Sequence, residues 1–393
     1  MISVNEARKI LSDNSTRGKT QTVPLGHSLD AVVAEDIYSP IDVPSFDNSA
    51  MDGYAIKFGE KLQRWKVKTV IQAGDTSAYK IERGEAARIF TGAKIPEGTD
   101  TVIPQELIAK NEASGEIYYQ EDKISTGSNV RLKGSQCKRG DLILKKGTVI
   151  SPGIIGLLAS VGLAEVKIYT APTVAYVITG DELKEPGTSL TPGEIYNSNG
   201  PMLEALLKKI GVTDIFPKKA SDKKEELQQI INQALEQQDV LILSGGISVG
   251  DYDFVKECLE NAGVQELFYK IKQRPGKPMF AGKKAGKWIF ALPGNPSSVL
   301  SCFSQYVKPC LYYFMGKENV WEADAELTLA QDHKKKPGLT FFVKARINGD
   351  EAEVLSGQQS FNLQAFSTAN CLVELEEDKE EVTAGTRVKV YNL

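Results

Sequence analysis

The spacing of apolar positions changes character several times along the chain, and each change predicts a different kind of structure. Ala7, Ile10 and Leu11 share one helical face, and Ser3 and Glu6 have the separation of a capping box, so a helix is predicted at residues 3–11. Pro24 breaks this pattern. From Tyr54 to about residue 150 the chain turns to short β-favouring runs, WKVKTVI, ARIF, TVIPQEL, GEIYYQ, DLIL and TVI, separated by Gly, Asp, Asn and Pro. That stretch predicts an all-β domain.

Between about 171 and 317 strands and helices alternate. TVAYVIT (173–179) has the continuous apolar character of a strand buried on both faces, and Met202, Leu203, Leu206, Leu207 and Ile210 then recur at helical steps. A second helix follows an Asp222/Glu225 cap and turns Leu227, Ile230, Ile231, Ala234 and Leu235 inward. The strand DVLILS and a third helix on Phe254, Val255, Cys258 and Leu259 continue the rhythm. Such alternation predicts a mostly parallel sheet covered on both faces. Residues 295–316 predict one long closing helix with Asn295 as cap, Pro296 at the first position and Gly316 after the last turn. From about 318 the β pattern returns in FFVKARI, EAEVLS, CLVELE and RVKVYNL, which predicts a small β-barrel. The segment 141–170 carries the helical run IIGLLASVG and is expected to pack with the N-terminal helix across the β domain.

Composition narrows the functional classes. A chain of 393 residues exceeds what one core usually organises, and 41% hydrophobic with 25% charged residues describes an ordinary globular protein of several domains. A net charge of −4 with 47 dispersed basic residues gives no footprint for nucleic acid. The N-terminus has no basic-then-apolar leader, and no segment reaches the roughly 20 apolar residues of a membrane span, so a cytoplasmic protein is expected. Five scattered cysteines without a CxxC pair argue against a disulfide framework or structural zinc, and two isolated histidines, His27 and His333, leave little for a triad or a histidine-rich metal site.

What chemistry remains sits in loops at strand ends, where open α/β sheets bind ligands. TGDEL (179–183) brings Asp181 and Glu182; SGGISVGDYD (244–253) brings three glycines, two serines, Asp251 and Asp253; LPGNPSS (292–298) leads into the last helix. Glycines admit a phosphate close to the backbone, and carboxylates beside it call for a divalent cation, which suggests Mg²⁺. A Gly-rich loop alone is more often a tight turn, and only the three equipped loops on one predicted edge make a ligand site an equal reading. RPGKP (274–278) sets Arg274 and Lys277 around a Pro-Gly turn, as an anion clamp or as a solvated turn. Asp52-Gly53 in DNSAMDGYAI (47–56) has the composition of a hairpin turn.

Taken in order, PIDVPSFDNSAMDGYAI (40–56), FTGAKIPEGTDTVIPQE (90–106), ITGDEL (178–183), LSGGISVGDYDFV (243–255), PGKP (275–278) and LPGNPSS resemble the MoeA-type molybdopterin molybdenumtransferases over nearly the whole chain, a family related to the C-terminal part of gephyrin. The first and fourth motifs are long and specific. The resemblance implies a multidomain α/β plus β fold in four parts: a discontinuous helical segment at 1–44 and 141–170, an inserted β domain at 45–140, an α/β molybdopterin-binding domain at 171–317 and a C-terminal β-barrel at 318–393. It further implies a homodimer whose sites lie between subunits, with molybdopterin adenylyltransferase and recipient molybdoenzymes as further partners.

The implied reaction takes adenylylated molybdopterin and molybdate as substrates, cleaves the phosphoanhydride with Mg²⁺, and releases AMP and molybdenum cofactor. By match to the family motifs, Asp52, Thr91, Glu182 and Asp253 form the catalytic centre, with Asp52, Glu182 and Asp253 as metal ligands. Gly245, Gly246 and Ser248 cradle phosphate; Asp222, Arg274, Lys277, Pro293, Pro296 and Ser360 complete the ligand-binding set, although Asp222 is also explained as a helix cap. The chain departs from the family at RLKGSQC (131–137), where Gln136 replaces a usual acid. A glutamine supplies no negative charge, which keeps open a non-catalytic molybdopterin-binding or scaffold protein of the same fold. A nucleotide hydrolase sharing only the α/β domain is the other alternative, and it would have no use for the β-domain motifs.

Overall fold

The apolar run Val174–Thr179 forms a strand buried along its whole length because it sits inside a six-stranded sheet with both faces covered. The computed structural model describes residues 1–121, 123–247 and 254–393, which divide into two compact units, Met1–Gln21 with Ile168–Leu393, and Thr22–Lys167.

In the first unit the sheet strands are β1 (Val174–Thr179), β2 (Ile215–Ala220), β3 (Val240–Ser244), β4 (Gln265–Tyr269), β5 (Phe280–Lys284) and β6 (Lys287–Leu292), in the order β2-β1-β3-β6-β5-β4. The first four in that order are parallel, and β5 and β4 add as an antiparallel edge, so the expected mostly parallel sheet is present. Side chains alternate across the pleat. Val174, Tyr176 and Ile178 join one core with the helices α1 (Val4–Asn14), α3 (Asn199–Lys209), α6 (Pro296–Cys302) and α7 (Lys308–Phe314), whereas Ala175 and Val177 join a second with α4 (Lys224–Gln237) and α5 (Val255–Asn261).

Three local expectations are modified. The Ser3/Glu6 capping box is present, with the Glu6 N–H donating to Ser3 Oγ at 3.2 Å and the Ser3 N–H to Glu6 Oε2 at 2.7 Å. The helix it starts, however, buries Val4, Ala7 and Leu11 in the core of the α/β sheet. The helix α2 (Pro152–Ser160) belongs to the second unit and packs there on the short turn Leu25–His27. The apolar stripe of α1 is covered by the larger apolar face. Second, α4 begins one residue after Lys223, without a side-chain cap; the Asp222 carboxylate instead accepts the Asp181 N–H at 3.4 Å. Third, the closing helix is not one α-helix. A π-helical turn over Phe303–Val307 separates α6 from α7, because Pro309 has no N–H for the Gln305 carbonyl and its ring crowds the preceding turn.

The C-terminal barrel closes on itself. Thr340–Asn348 pairs with both Glu351–Val354 and Cys371–Leu375, and Ala325–Leu329 and Arg387–Asn392 complete the five-strand ring around Leu329, Val343, Ala352, Val373, Val388 and Val390. Gln273–Arg274 adds to Thr340–Phe341 as a parallel extension. In the second unit a six-stranded sheet runs Thr101–Pro104, Gly53–Ile56, Glu85–Ile89, Arg64–Ile71, Glu116–Tyr118, Ala109–Asn111, the all-β character the sequence predicts. DLIL contributes Leu142–Leu144 to a separate two-stranded pairing with Ile37–Tyr38.

Where α1, the π turn and the barrel meet, the buried Arg8 guanidinium donates to Gln305 Oε1 (2.6 Å), Glu374 Oε2 (2.9 Å) and the Tyr391 hydroxyl oxygen (2.9 Å). Removing one member of a buried ion pair leaves its partner charged and desolvated, at about 3–5 kcal/mol. Arg8→Met is therefore expected to lower unfolding stability by about 3–5 kcal/mol in urea denaturation, and Arg8→Met with Glu374→Gln to recover part of that loss.

Candidate active site

Parallel strands point their carboxyl ends to the same edge, and the loops leaving β1, β3 and β6 meet there. Between them lies a cavity of about 490 Å³ lined by Thr179, Gly180, Glu182, Leu183, Ile195, Asn199, Asp222, Ser244, Gly245, Gly246, Ile247, Pro278, Pro293, Gly294 and Asn295. All three loops singled out from the sequence contribute to it.

The loops are held close by their small residues. Gly245 (φ +100°) lies so near the end of β1 that a Cβ there would stand 2.7 Å from both the carbonyl oxygen and Oγ1 of Thr179. At Gly246 (φ +60°) a Cβ would meet Val255 Cγ2 at 2.9 Å. Neither an L side chain nor its preferred backbone fits at these positions. Asn199, the first residue of α3, ties the other two loops together: its amide donates to Gly294 O at 2.7 Å and Ser244 Oγ at 3.1 Å. Asp181 and Asp222 exchange backbone-to-carboxylate bonds, at 3.4 Å and 3.3 Å, across the loops after β1 and β2.

Of the sequence-derived set, Glu182, Asp222, Gly245, Gly246 and Pro293 line the one cavity. Pro296 starts α6 immediately beyond it, and the Ser360 carbonyl accepts the N–H of Ser297 in that first turn at 3.1 Å. Arg274 and Lys277 are exposed on the neighbouring turn and are not part of the lining; the Arg274 guanidinium lies 5.5 Å from the Phe341 ring centre, and Pro278 at the end of the turn does line the cavity. Ser248, Asp251 and Asp253 lie outside the described residues.

Asp52 and Thr91 belong to the second unit and are joined there. The Thr91 N–H and hydroxyl both donate to Asp52 Oδ1 at 2.8 Å. The hairpin reading of Asp52-Gly53 is corrected: Gly53 begins a strand paired on both sides, and a Cβ on it would stand 2.1 Å from the Ile103 carbonyl oxygen. The carboxyl of Asp52 is thereby presented just before a strand that cannot shift. The Thr91 N–H first, then its hydroxyl, hold that carboxyl below the ordinary aspartate range.

Sequence reasoning missed Thr179, Asn199, Ser244, Leu183 and Ile195 as lining residues. The signal for Asn199 was present, since an NSNG cluster ahead of a helical apolar pattern marks a helix start. Thr179 Oγ1 and Asn199 Oδ1 are buried without a hydrogen-bond partner among the described residues, which is uncommon away from ligand sites. The lining includes the carboxyl-bearing Glu182 and Asp222, whose hard oxygen donors suit a cation such as Mg²⁺, while all five cysteines are free and buried. Among the described residues no three His, Cys, Asp or Glu gather as a metal cluster. No helix among them is long and apolar enough to cross a membrane.

A mostly parallel sheet with glycine- and carboxylate-bearing loops at its carboxyl edge, followed by a closed barrel, defines a ligand-binding α/β protein with an added β-barrel. Residues 175–312 match the model of a probable molybdopterin binding domain, residues 2–162 the MoeA N-terminal region (domain I and II), and residues 326–393 the MoeA C-terminal region (domain IV). Curated relatives named molybdopterin molybdenumtransferase include one from Staphylococcus aureus strain Mu50, 36% identical, and one from Staphylococcus epidermidis, 34% identical, each over 400 aligned residues that cover 99% of this chain and 95% of the relative. A crystal structure of a molybdopterin biosynthesis MoeA protein from Pyrococcus horikosii superposes with a TM-score of 0.85 at 31% identity, over 100% of this chain and 99% of that one. The chain belongs to the MoeA family of molybdopterin molybdenumtransferases, enzymes of molybdenum cofactor biosynthesis.

Because Thr91 stabilises the ionised form of Asp52, Thr91→Val, which removes the hydroxyl donor, should raise the Asp52 titration midpoint. The hydrogen bonds act fully above the unfolded-state value and are lost as pH falls through the lowered folded value. Carboxyl NMR titration of Asp52 in both proteins checks this; identical midpoints would refute the assignment.

Proposed function

We propose that this enzyme inserts molybdenum from molybdate into adenylylated molybdopterin, cleaving the adenylyl phosphoanhydride with Mg²⁺ and releasing AMP and molybdenum cofactor. The observation that carries the proposal is the strand-edge cavity, in which close-approaching glycines stand beside the carboxyl side chains of Glu182 and Asp222. A phosphoanhydride needs its charge neutralised and its groups placed more than it needs a strong base. Glycines that admit a phosphate close to the backbone, beside carboxylates that would hold a divalent ion, meet that need without histidine.

In this reading Gly245, Gly246 and Ser248 receive the pterin phosphate, and Arg274 and Lys277 bring positive charge to phosphate or molybdate. Pro293 and Pro296 shape the loop entering α6, next to Ser360. Glu182 and Asp253, with Asp52, would hold Mg²⁺, which supplies charge neutralisation of the phosphates when bound. Asp52, kept ionised by Thr91, is ready for that role at neutral pH. Asp222 steadies the loop after β1 through the Asp181 N–H. Asp52 and Thr91 are proposed to complete the cavity of the second subunit of a homodimer. The enzyme would act in the cytoplasm, between a molybdopterin adenylyltransferase that makes its substrate and the molybdoenzymes that receive its product.

Gln136 favours a second reading, a molybdopterin-binding protein that does not catalyse insertion. It is exposed on a turn whose backbone N–H bonds to Val43 O at 2.9 Å, a position that imposes no requirement for an acid on the local fold. The two readings separate on one assay. Purified protein incubated with adenylylated molybdopterin, Mg²⁺ and molybdate should release AMP; tight binding with no AMP would select the second.

Within the first reading, Asp52→Ala and Glu182→Ala are each expected to reduce AMP release by roughly a hundredfold or more while circular dichroism stays unchanged. Unaltered turnover in both would refute the site. Mixing the two inactive variants should restore part of the activity if each site draws on two subunits, and no recovery in demonstrated heterodimers would refute the shared site.

A further inference from the structure

Gln273 is fully buried, and its side-chain amide lies beneath the turn that carries Arg274 and Lys277. Nε2 is 3.0 Å from the Pro275 carbonyl oxygen, 3.2 Å from that of Gly276 and 3.4 Å from Cys302 Sγ. A primary amide has two N–H donors, and here two consecutive carbonyls stand ready to take them. The contact is tight. At Gly276 (φ +87°) a Cβ would stand 2.8 Å from Gln273 Nε2 and 2.4 Å from Cys302 Sγ, so the turn rests directly on the amide and the thiol.

The other end of the amide is fixed as well. Gln273 Oε1 accepts a hydrogen bond from the hydroxyl of Tyr306, which is itself fully buried in the π turn. Burial raises the Tyr306 phenol well above its ordinary range, so it stays protonated and keeps donating. The neighbouring Gln305 accepts from Arg8, which anchors the same turn of helix to α1 and the barrel. The amide therefore cannot flip without breaking bonds at both ends, and its N–H groups are aimed at the turn by necessity.

Gln273 does not line the strand-edge cavity, whereas Pro278, at the end of the turn, does. We infer that Gln273, braced by Tyr306, is a positioning residue that sets the Arg274–Pro278 turn and with it the placement of the Arg274 and Lys277 cations toward the oxyanion groups of the substrates. The inference rests on the proposed reading in which those two cations bind phosphate or molybdate. Misplacement of a binding group by about 1 Å costs up to about a hundredfold, far more than a surface turn would show.

The experiment compares full-length variants by AMP release at varied molybdate, at pH 6 and pH 8. Gln273→Leu keeps an apolar filling but removes the donors, and it should raise the molybdate concentration for half-maximal rate by roughly tenfold or more, with kcat changed by less than about twofold. Gln273→Glu keeps the shape and the acceptor for Tyr306. Ionised at pH 8 it faces two carbonyls without a donor; protonated at pH 6 it regains one. Its defect relative to the unsubstituted enzyme should therefore shrink as pH falls, while that of Gln273→Leu should not, a signature that packing alone would not produce. Where Gln273→Glu does not fold, Tyr306→Phe serves in its place and should raise the same half-maximal concentration several-fold.

A folded Gln273→Leu with unchanged molybdate dependence overturns the inference, as does a Gln273→Glu defect independent of pH or a Tyr306→Phe without effect. Arg274→Ala and Lys277→Ala separate the two levels. If neither alters molybdate dependence, the proposed anion role of the turn fails; if they do and Gln273→Leu does not, only the positioning role fails.

Discussion

Four parallel strands ending at one edge are the constraint on which the candidate site depends. Parallel neighbours cannot be joined by tight hairpins, so each connection must travel over a face of the sheet, and the helices that do so bury both faces. The shared direction also ends all four strands at the same edge. Loops after β1, β2, β3 and β6 thus meet irrespective of their chemistry, and what the chemistry decides is how near they can come. Gly245 and Gly246 allow the loop after β3 to lie against Thr179, and Asn199 bonds the loops after β3 and β6 together. The cavity is the space left when backbone has been packed nearly as closely as backbone can be.

Much of this was legible before any coordinates. Val174–Thr179 read as a doubly buried strand because its apolar run has no alternation, and a strand covered on both faces needs none. The capping box at Ser3 was readable because both of its bonds are local. The strand-edge carboxylates and glycines were legible because topology alone brings those loops together.

What was not legible depended on contacts distant in sequence. The apolar face of α1 states only that it will be buried, and the larger apolar surface of the α/β sheet decides where. Asp222 has the spacing of a cap to Glu225, yet its carboxylate finds the Asp181 N–H, 41 residues away. Asp52-Gly53 has the composition of a turn, but strands contributed by residues 85–104 take Gly53 into a sheet interior. The break in the closing helix turns on Pro309, whose effect on the turn before it is hidden when the segment is read for apolar period alone.

The pairing of Gln273–Arg274 with Thr340–Phe341 has a consequence of another kind. These two residues are at once an extension of the barrel and the root of a turn whose end, Pro278, lines the cavity, so one hydrogen-bonded ladder ties the barrel to that turn. Among the described residues the barrel supplies none of the cavity's lining, yet it seats the turn whose end does line it. Such a seat limits how the protein can diversify. Outer strands of the ring can vary in length and loops freely, but recombination that exchanged the whole barrel would have to bring its own seat for residues 273–274, or find the turn above them unsupported.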